Sequence, residues 1–170
     1  MTLTTHALVG TAAAALFPAQ PYLAFSAAFA SHFAIDAIPH WDYGKWLLRS
    51  IVEDKVNPLA TDMIIGKDFM RDLIVIGADA ALGVAASLFI FSFWLFAVPP
   101  EIVLIGVVAG ILPDPLQFVY YKTRWFIFEP LQRFHIWIQW KQLEDIPPPL
   151  GAGLQAALVA IVVWAEKLFL

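Results

Sequence analysis

The apolar stretches of this chain limit its possible folds more than any other feature, and the longest of them occupies residues 73–98. Asp79 is the one ionisable residue in that stretch, which exceeds the roughly 20 residues that an α-helix needs to cross a bilayer. The stretch 150–168 is also long enough. Three more lie at 7–17, 22–38 and 102–112, and the first and last of these are short for a full span.

The composition supports the same class of protein. The chain is 61% hydrophobic and 14% charged, whereas soluble domains are about 45–50% apolar and about 25% charged. We therefore predict an all-α integral membrane bundle with four to five transmembrane helices, in which residues 1–170 form a single domain. The net charge of −4 argues against a nucleic-acid partner, and the absence of cysteine excludes disulfides and thiolate metal sites.

Prolines and basic residues predict how the helices are connected and oriented. The segments P-A-Q-P at 18–21 and V-P-P-E at 98–101 predict tight hairpins, because proline cannot continue a helix beyond its first turn. Of the ten Lys and Arg residues, all but Lys167 lie in two connections, at about 39–71 and 114–149. By the positive-inside rule both connections are cytoplasmic, and so is the N-terminus.

Tryptophans and amphipathic segments mark the membrane surface in these connections. Five of the seven tryptophans lie there, as expected for an interfacial belt: Trp41, Trp46, Trp125, Trp137 and Trp140. Residues 46–52 and 130–140 are predicted to be interfacial amphipathic helices.

The strongest chemical pattern is S-H-F-A-I-D-A-I-P-H-W-D at 31–42. His32 and Asp36 are four residues apart, so on a helix they share a face at about 6 Å, a separation that suits two ligands of one metal ion. Pro39 ends the helix and leaves His40 and Asp42 on the following turn. In the alternative interpretation, His32 hydrogen-bonds Asp36 internally while His40 and Asp42 only cap the interface. We favour the functional interpretation over the structural one, because placing a charge in hydrocarbon costs at least ~2.5–3.5 kcal/mol.

Further candidates lie on other segments at the same predicted end of the bundle. His6 opens the first helix, Asp79 lies among small residues in the third, and Asp114 is held between two prolines after the fourth. Asp72 and His135 are weaker candidates. Asp72 adjoins Arg71 and suits a surface ion pair or the start of a helix, and His135 lies in an aromatic surface segment.

The topology predicts that these residues meet at the cytoplasmic end of the bundle. We expect them to hold one or two divalent ions, with Zn, Mn, Fe and Mg all compatible, through six ligands: His6, His32, Asp36, His40, Asp79 and Asp114. His40 and Asp42 are the candidate catalytic residues, and Asp42 would be a further ligand or would orient a histidine.

Three short motifs carry a resemblance to a known family. The segments T-H-A-L-V-G at 5–10, S-H-F-A-I-D at 31–36 and G-I-L-P-D at 110–114 resemble motifs of the predicted inner-membrane metal-dependent hydrolases of the YdjM-like type. The resemblance implies a distant or rearranged relative in the bacterial inner membrane. The family's D-x-D-H run and H-R-G-x-T-H-S element are absent here, and His40 and Asp42 would supply the missing ligands.

Three functional hypotheses follow. The leading one is a metal-dependent hydrolase that acts on a phosphoester or phospholipid-type substrate at the cytoplasmic face, with membrane lipids as its partners. The second is a proton- or cation-coupled transporter with a path through Asp36 and Asp79. The third is a non-catalytic membrane scaffold whose connections, 43–70 or 116–145, recruit a partner.

Overall fold

The computed structural model describes residues 1–43, 47–139 and 147–169, and these are mostly helical, as predicted. The predicted interfacial residues Trp46 and Trp140 lie outside the described residues. The seven described helices are α1 (Leu3–Ala15), α2 (Pro21–Asp36), α3 (Phe69–Ser87), α4 (Pro100–Ile111), α5 (Pro113–Thr123), α6 (Glu129–Ile138) and α7 (Pro148–Glu166).

Helix α1 is the central element, with almost all of its residues buried. It approaches α4 closely because glycines face each other across the contact. A Cβ atom added to Gly110 would lie 2.6 Å from the carbonyl oxygen of His6, and one added to Gly10 would lie 2.6 Å from that of Gly106. Gly106 and Gly110 are four residues apart, the small-residue spacing that lets membrane helices touch backbone to backbone. This contact brings the start of α1 beside the end of α4.

Among the described residues, two helices are long and apolar enough to cross a membrane, or three if a bent pair counts as one span. The two are α7 and Phe69–Trp94, in which a π-helical segment, Leu88–Trp94, continues α3. The bent pair joins α4 and α5 at an angle of 41°. This is fewer than the four to five spans predicted from the sequence.

Helix length explains the lower number. Helices α1 and α2 have 13 and 16 residues, about 20 and 24 Å of helix, against a hydrocarbon core of about 30 Å. Helix α1 is apolar because other helices enclose it, and α2 packs on α1. Hydropathy alone does not distinguish apolar residues buried in protein from apolar residues exposed to lipid.

Residues 48–52 do not form the amphipathic helix predicted at 46–52. Within the described part of 46–52, Ile51–Val52 is a strand, β1, which pairs in antiparallel fashion with Asp62–Met63, β2. The Lys122 ammonium lies 2.7 Å from Asp62 and lowers the pKa of that carboxyl. Arg124 donates to the carbonyl oxygens of residues 59–61. These two basic side chains therefore attach the hairpin to the end of α5.

Helix α6 confirms the helix predicted at 130–140 and has two unlike faces. Gln132 and His135 are buried, whereas Trp137 is 67% exposed. The buried face of α6 lies against the end of α2, so that His135 comes within reach of residues from α1 and α2.

Candidate metal centre

All four histidines of the chain converge on the carboxylate of Asp36, the last residue of α2. The Nε2 atoms of His6 and His40 lie 3.3 and 3.7 Å from Oδ1 of Asp36. Those of His32 and His135 lie 3.3 and 3.1 Å from Oδ2. All five side chains are almost completely buried, which makes this the most concentrated group of ionisable residues in the described part of the chain.

Three of the donor atoms form a compact triangle around one point. His32 Nε2 lies 3.2 Å from His135 Nε2, and both lie close to Asp36 Oδ2, at 3.3 and 3.1 Å. Tetrahedral ligands at about 2.0–2.1 Å from a zinc ion are about 3.4 Å apart. The triangle therefore has nearly the dimensions of one face of a tetrahedral metal site.

The hydrogen bonds of His32 and His40 orient their free nitrogens toward Asp36. His32 Nδ1 lies 2.8 Å from the carbonyl oxygen of Gly110, and His40 Nδ1 lies 2.7 Å from that of Ile38. A carbonyl only accepts, so each Nδ1 carries a proton, and a neutral ring in this tautomer directs its Nε2 lone pair toward the carboxylate. Burial, followed by the amino group of Met1, lowers the pKa of His40, which keeps that ring neutral at pH 7. Metal-bound histidines are commonly oriented in this way.

His6 extends the centre from the side of α1. Its ring stacks on His32 with 3.8 Å between the centroids, and neither of its buried nitrogens makes a hydrogen bond within the described residues. His6, His32 and Asp114 each offer a ligand atom within 4.8 Å of the others, as do His32, Asp36 and His135. Each of these two groups has the composition of a metal site.

Asp114 is the open side of the centre. Its Oδ1 lies 3.7 Å from His32 Nε2 and 4.0 Å from His135 Nε2, and its side chain is 29% exposed. The first turn of α5, where it lies, follows directly on the end of α4. A water molecule or a substrate oxygen would reach the centre beside this carboxylate.

Asp36 also accepts two conventional hydrogen bonds. Gln139 Nε2 donates to Oδ2 at 2.6 Å, and the amino group of Met1 donates to Oδ1 at 3.2 Å. These donors hold the carboxylate at the centre of the ring of histidines.

Asp79, predicted as a ligand, is placed in a different network. Its carboxylate accepts from the backbone N–H of Thr4 at 3.2 Å, from the Thr4 hydroxyl at 2.7 Å and from the Tyr43 hydroxyl. Burial and the Asp79 charge raise the pKa of Tyr43, which therefore stays protonated and donates. Within the described residues no histidine lies within 4.0 Å of Asp79. Its observed contacts connect α3 to the start of α1 and to the loop after α2.

The remaining two predicted acids bind backbone groups. Asp72 lies in the first turn of α3 and forms the ion pair considered for it, but its side chain is buried and not at the surface. It accepts from the N–H groups of Arg49 and Ser50, both at 2.7 Å, and pairs with Arg71 at 2.9 Å. Asp42 accepts from the backbone N–H of Tyr43 at 2.7 Å, on the loop that carries His40.

Gln139, Gln155 and His135 contact the centre or its neighbours, which the sequence analysis did not predict for the two glutamines and gave only as a weaker possibility for His135. The signal for His135 and Gln139 was polar spacing: with Gln132 they repeat at i, i+3 and i+7 on one face of an otherwise aromatic helix. Gln155 on α7 donates to the carbonyl oxygen of Trp41 at 2.8 Å and accepts from the Thr5 hydroxyl at 2.8 Å. Gln155 thereby connects Thr5, which precedes His6, to Trp41, which follows His40. A single glutamine in an apolar helix does not indicate these contacts in the sequence.

Comparison of the chain with protein-family models, with curated proteins and with solved structures gives no match. The assignment of the centre therefore depends on its own geometry. Its buried His and Asp groups are suited to hold a metal ion.

Proposed function

We propose that the chain is an integral-membrane, metal-dependent hydrolase that cleaves phosphoesters at the His–Asp36 centre. The observation that carries the proposal is the triangle of His32, His135 and Asp36, whose donor atoms are separated by 3.1–3.3 Å. Two imidazoles and one carboxylate, with a further position open, are typical of catalytic zinc sites and of other first-row metal sites.

The principal ion would be held by His32, His135 and Asp36 Oδ2, with Asp114 as a fourth ligand from the exposed side. This proposed ligand set differs from the sequence prediction, because it includes His135 and leaves out Asp79. A bound divalent ion lowers the pKa of a water ligand and polarises a phosphoryl oxygen.

The residues on the other side of Asp36 suit proton transfer. The lone pair of His40 Nε2 faces the centre, has no hydrogen-bond partner within the described residues and lies 3.7 Å from Asp36 Oδ1. We propose that His40 takes the proton of the attacking water, whose oxygen forms the new bond to phosphorus. The P–O bond to the alcohol then breaks; the leaving oxygen takes a proton from solvent water, and His40 releases its proton to solvent. Asp42 would support the loop that holds His40.

The location of the protein is part of the proposal. The candidate spans favour a membrane protein, and the positive-inside pattern favours a centre and an N-terminus on the cytoplasmic side. The resemblance to the YdjM-like hydrolases implies a bacterial inner membrane. The three motifs that resemble those of the YdjM-like hydrolases include His6, His32, Asp36 and Asp114, all of which lie in the centre.

Metal analysis of the purified full-length protein tests the proposal. We expect at least one divalent ion per chain, lost in His135→Ala and in Asp36→Asn and retained in Asp79→Asn, a matched carboxylate outside the centre. Release of phosphate from a phosphoester should follow the metal content, with loss on chelation and recovery on adding metal back.

Two results would overturn the proposal. One is a folded protein, judged by its helical circular dichroism, that binds no divalent ion. The other is a metal-loaded protein that releases no phosphate; proton flux in vesicles that is abolished in Asp36→Asn would then favour the transporter.

A further inference from the structure

An aromatic stripe runs along α2 toward the metal centre. Phe25, Phe29 and Phe33 follow one another at intervals of four residues, and their ring centroids are 6.2 and 5.5 Å apart. Phe25 is 39% exposed, Phe29 is half-buried and Phe33 is 7% exposed, so the stripe leads from the surface of the bundle to its interior. It covers about 12 Å along the helix axis.

The inner end of the stripe touches the centre itself. The ring of Phe33 lies 5.2 Å from that of His32 and 5.4 Å from that of His135. Phe134 of α6 closes the seam at 5.0 Å from Phe33 and is 41% exposed on its outer side. The boundary between α2 and α6 is therefore aromatic up to the imidazoles that would hold the ion.

The outer surface next to this seam has the character of a membrane interface. Trp137 lies 5.8 Å from Phe134, and the turn before α6 exposes Trp125, Phe126 and Ile127, between 54% and 76%. This turn begins directly after the bent candidate span, which ends at Thr123. Arg124 adds a positive charge to the same segment, whereas the charge of Arg133 is paired with Glu129 at 2.7 Å. Exposed aromatic rings combined with a basic side chain at the end of a span favour contact with phospholipid headgroups.

We infer that the substrate of the centre is a phospholipid-type phosphoester, whose acyl chain lies along Phe25, Phe29 and Phe33 while its phosphate reaches the histidines. This inference rests on the proposed function and names its substrate class. A water-soluble phosphoester has no apolar part to place on a stripe of this length. An acyl chain on these rings stays in an apolar environment, while the headgroup meets the buried polar atoms at the end of α2.

The test uses the full-length, metal-loaded protein and two probes with the same phosphoester headgroup. The first is palmitoyl-oleoyl phosphatidic acid in phosphatidylcholine vesicles, and the second is glycerophosphate in solution. Hydrolysis should be faster for the lipid. In the double variant Phe25→Ala/Phe29→Ala, retention of phosphatidic acid by the purified protein, counted by native mass spectrometry, should weaken about tenfold or more. Its metal content should not change.

Phe89→Ala provides the matched control, because Phe89 is an exposed phenylalanine (57%) on the helical segment that continues α3. It should retain the lipid as the unaltered protein does. Equal retention by all three proteins would overturn the lipid inference, as would equal loss in the double variant and in Phe89→Ala. If the lipid is retained through the stripe but neither probe is hydrolysed, the proposed function fails while the lipid site stands.

Discussion

At the scale of single residues, the partners of a buried carboxylate distinguish a metal ligand from a structural acid. Asp72 and Asp79 receive N–H and O–H donors from backbone and hydroxyl groups, which satisfy their oxygens. Asp36 also accepts from Gln139 and from the amino group of Met1, but it is in addition surrounded by four imidazoles. The Nδ1 protons of His32 and His40 are donated to carbonyl oxygens. Several lone pairs directed at one point favour a cation there.

This difference predicts the effect of removing Asp79. In Asp79→Ala, Thr4 and Tyr43 lose their acceptor, so the free energy of unfolding should fall by about 1–3 kcal/mol. The metal content of the folded protein should be unchanged. Denaturation followed by circular dichroism, with metal analysis of the same sample, measures both quantities. Loss of metal at unchanged stability would return Asp79 to the ligand set.

The spacing of His32 and Asp36 was informative because four residues always bring two side chains to one face of a helix. For Asp79, depth in the membrane was predictable, but the direction of its side chain around α3 depends on which helices pack there. His135 was only a weaker candidate in the sequence analysis. Its place in the centre depends on the packing of α6 against α2, which brings it to Asp36, 99 residues earlier in the chain. The sequence pattern thus identified most of the centre, and long-range packing determined its remaining members.

At the scale of elements, the contact between α1 and α4 positions the centre. His6 is near the start of α1, and the carbonyl oxygen of Gly110 orients His32. Since the backbones touch through glycines, a small change at this contact alters the position of both imidazoles. The sequence predicted both helices but not their contact, because glycines on one helix do not show which other helix packs against them.

The substitution Gly110→Ala tests this contact. Its Cβ would lie 2.6 Å from the carbonyl oxygen of His6, so α4 must move, at a cost of about 1–3 kcal/mol in the free energy of unfolding. We also expect weaker metal binding, because the acceptor of His32 moves with α4. Thermal unfolding and metal titration provide the two readouts.

Gly77→Ala is the matched control on α3, where an added Cβ meets nothing within 4 Å. It should leave metal binding unchanged and should stabilise the helix by about 0.5–1 kcal/mol. If Gly110→Ala binds metal as tightly as Gly77→Ala does, the contact between α1 and α4 does not set the geometry of the centre.

At the scale of the whole molecule, the polar chemistry lies at one end of the bundle. The end of α2 and the start of α5 carry Asp36 and Asp114, while the turns at 16–20 and 95–99 connect the helices at the opposite end. Composition predicted a membrane protein but overestimated its spans, because helices enclosed in the bundle are as apolar as helices that face lipid.

The orientation can be tested with single cysteines, because the chain has none of its own. Val56 is 96% exposed in the connection between α2 and α3, and Ala19 is exposed in the turn between α1 and α2. With the centre on the cytoplasmic side, a membrane-impermeant thiol reagent should label Ala19→Cys in intact cells. It should label Val56→Cys only after the cells are permeabilised. The reverse pattern would place the centre outside.

The convergence of the histidines on Asp36 also has a consequence for biosynthesis. His6, His32 and Asp36 leave the ribosome first, Asp114 follows much later, and His135 comes after the five described helices α1 to α5. The triangle therefore cannot be completed while α4 to α6 are still being made. Metal capture would be one of the last events in assembly, so that an ion bound tightly by this chain marks a molecule whose helices have already found their partners.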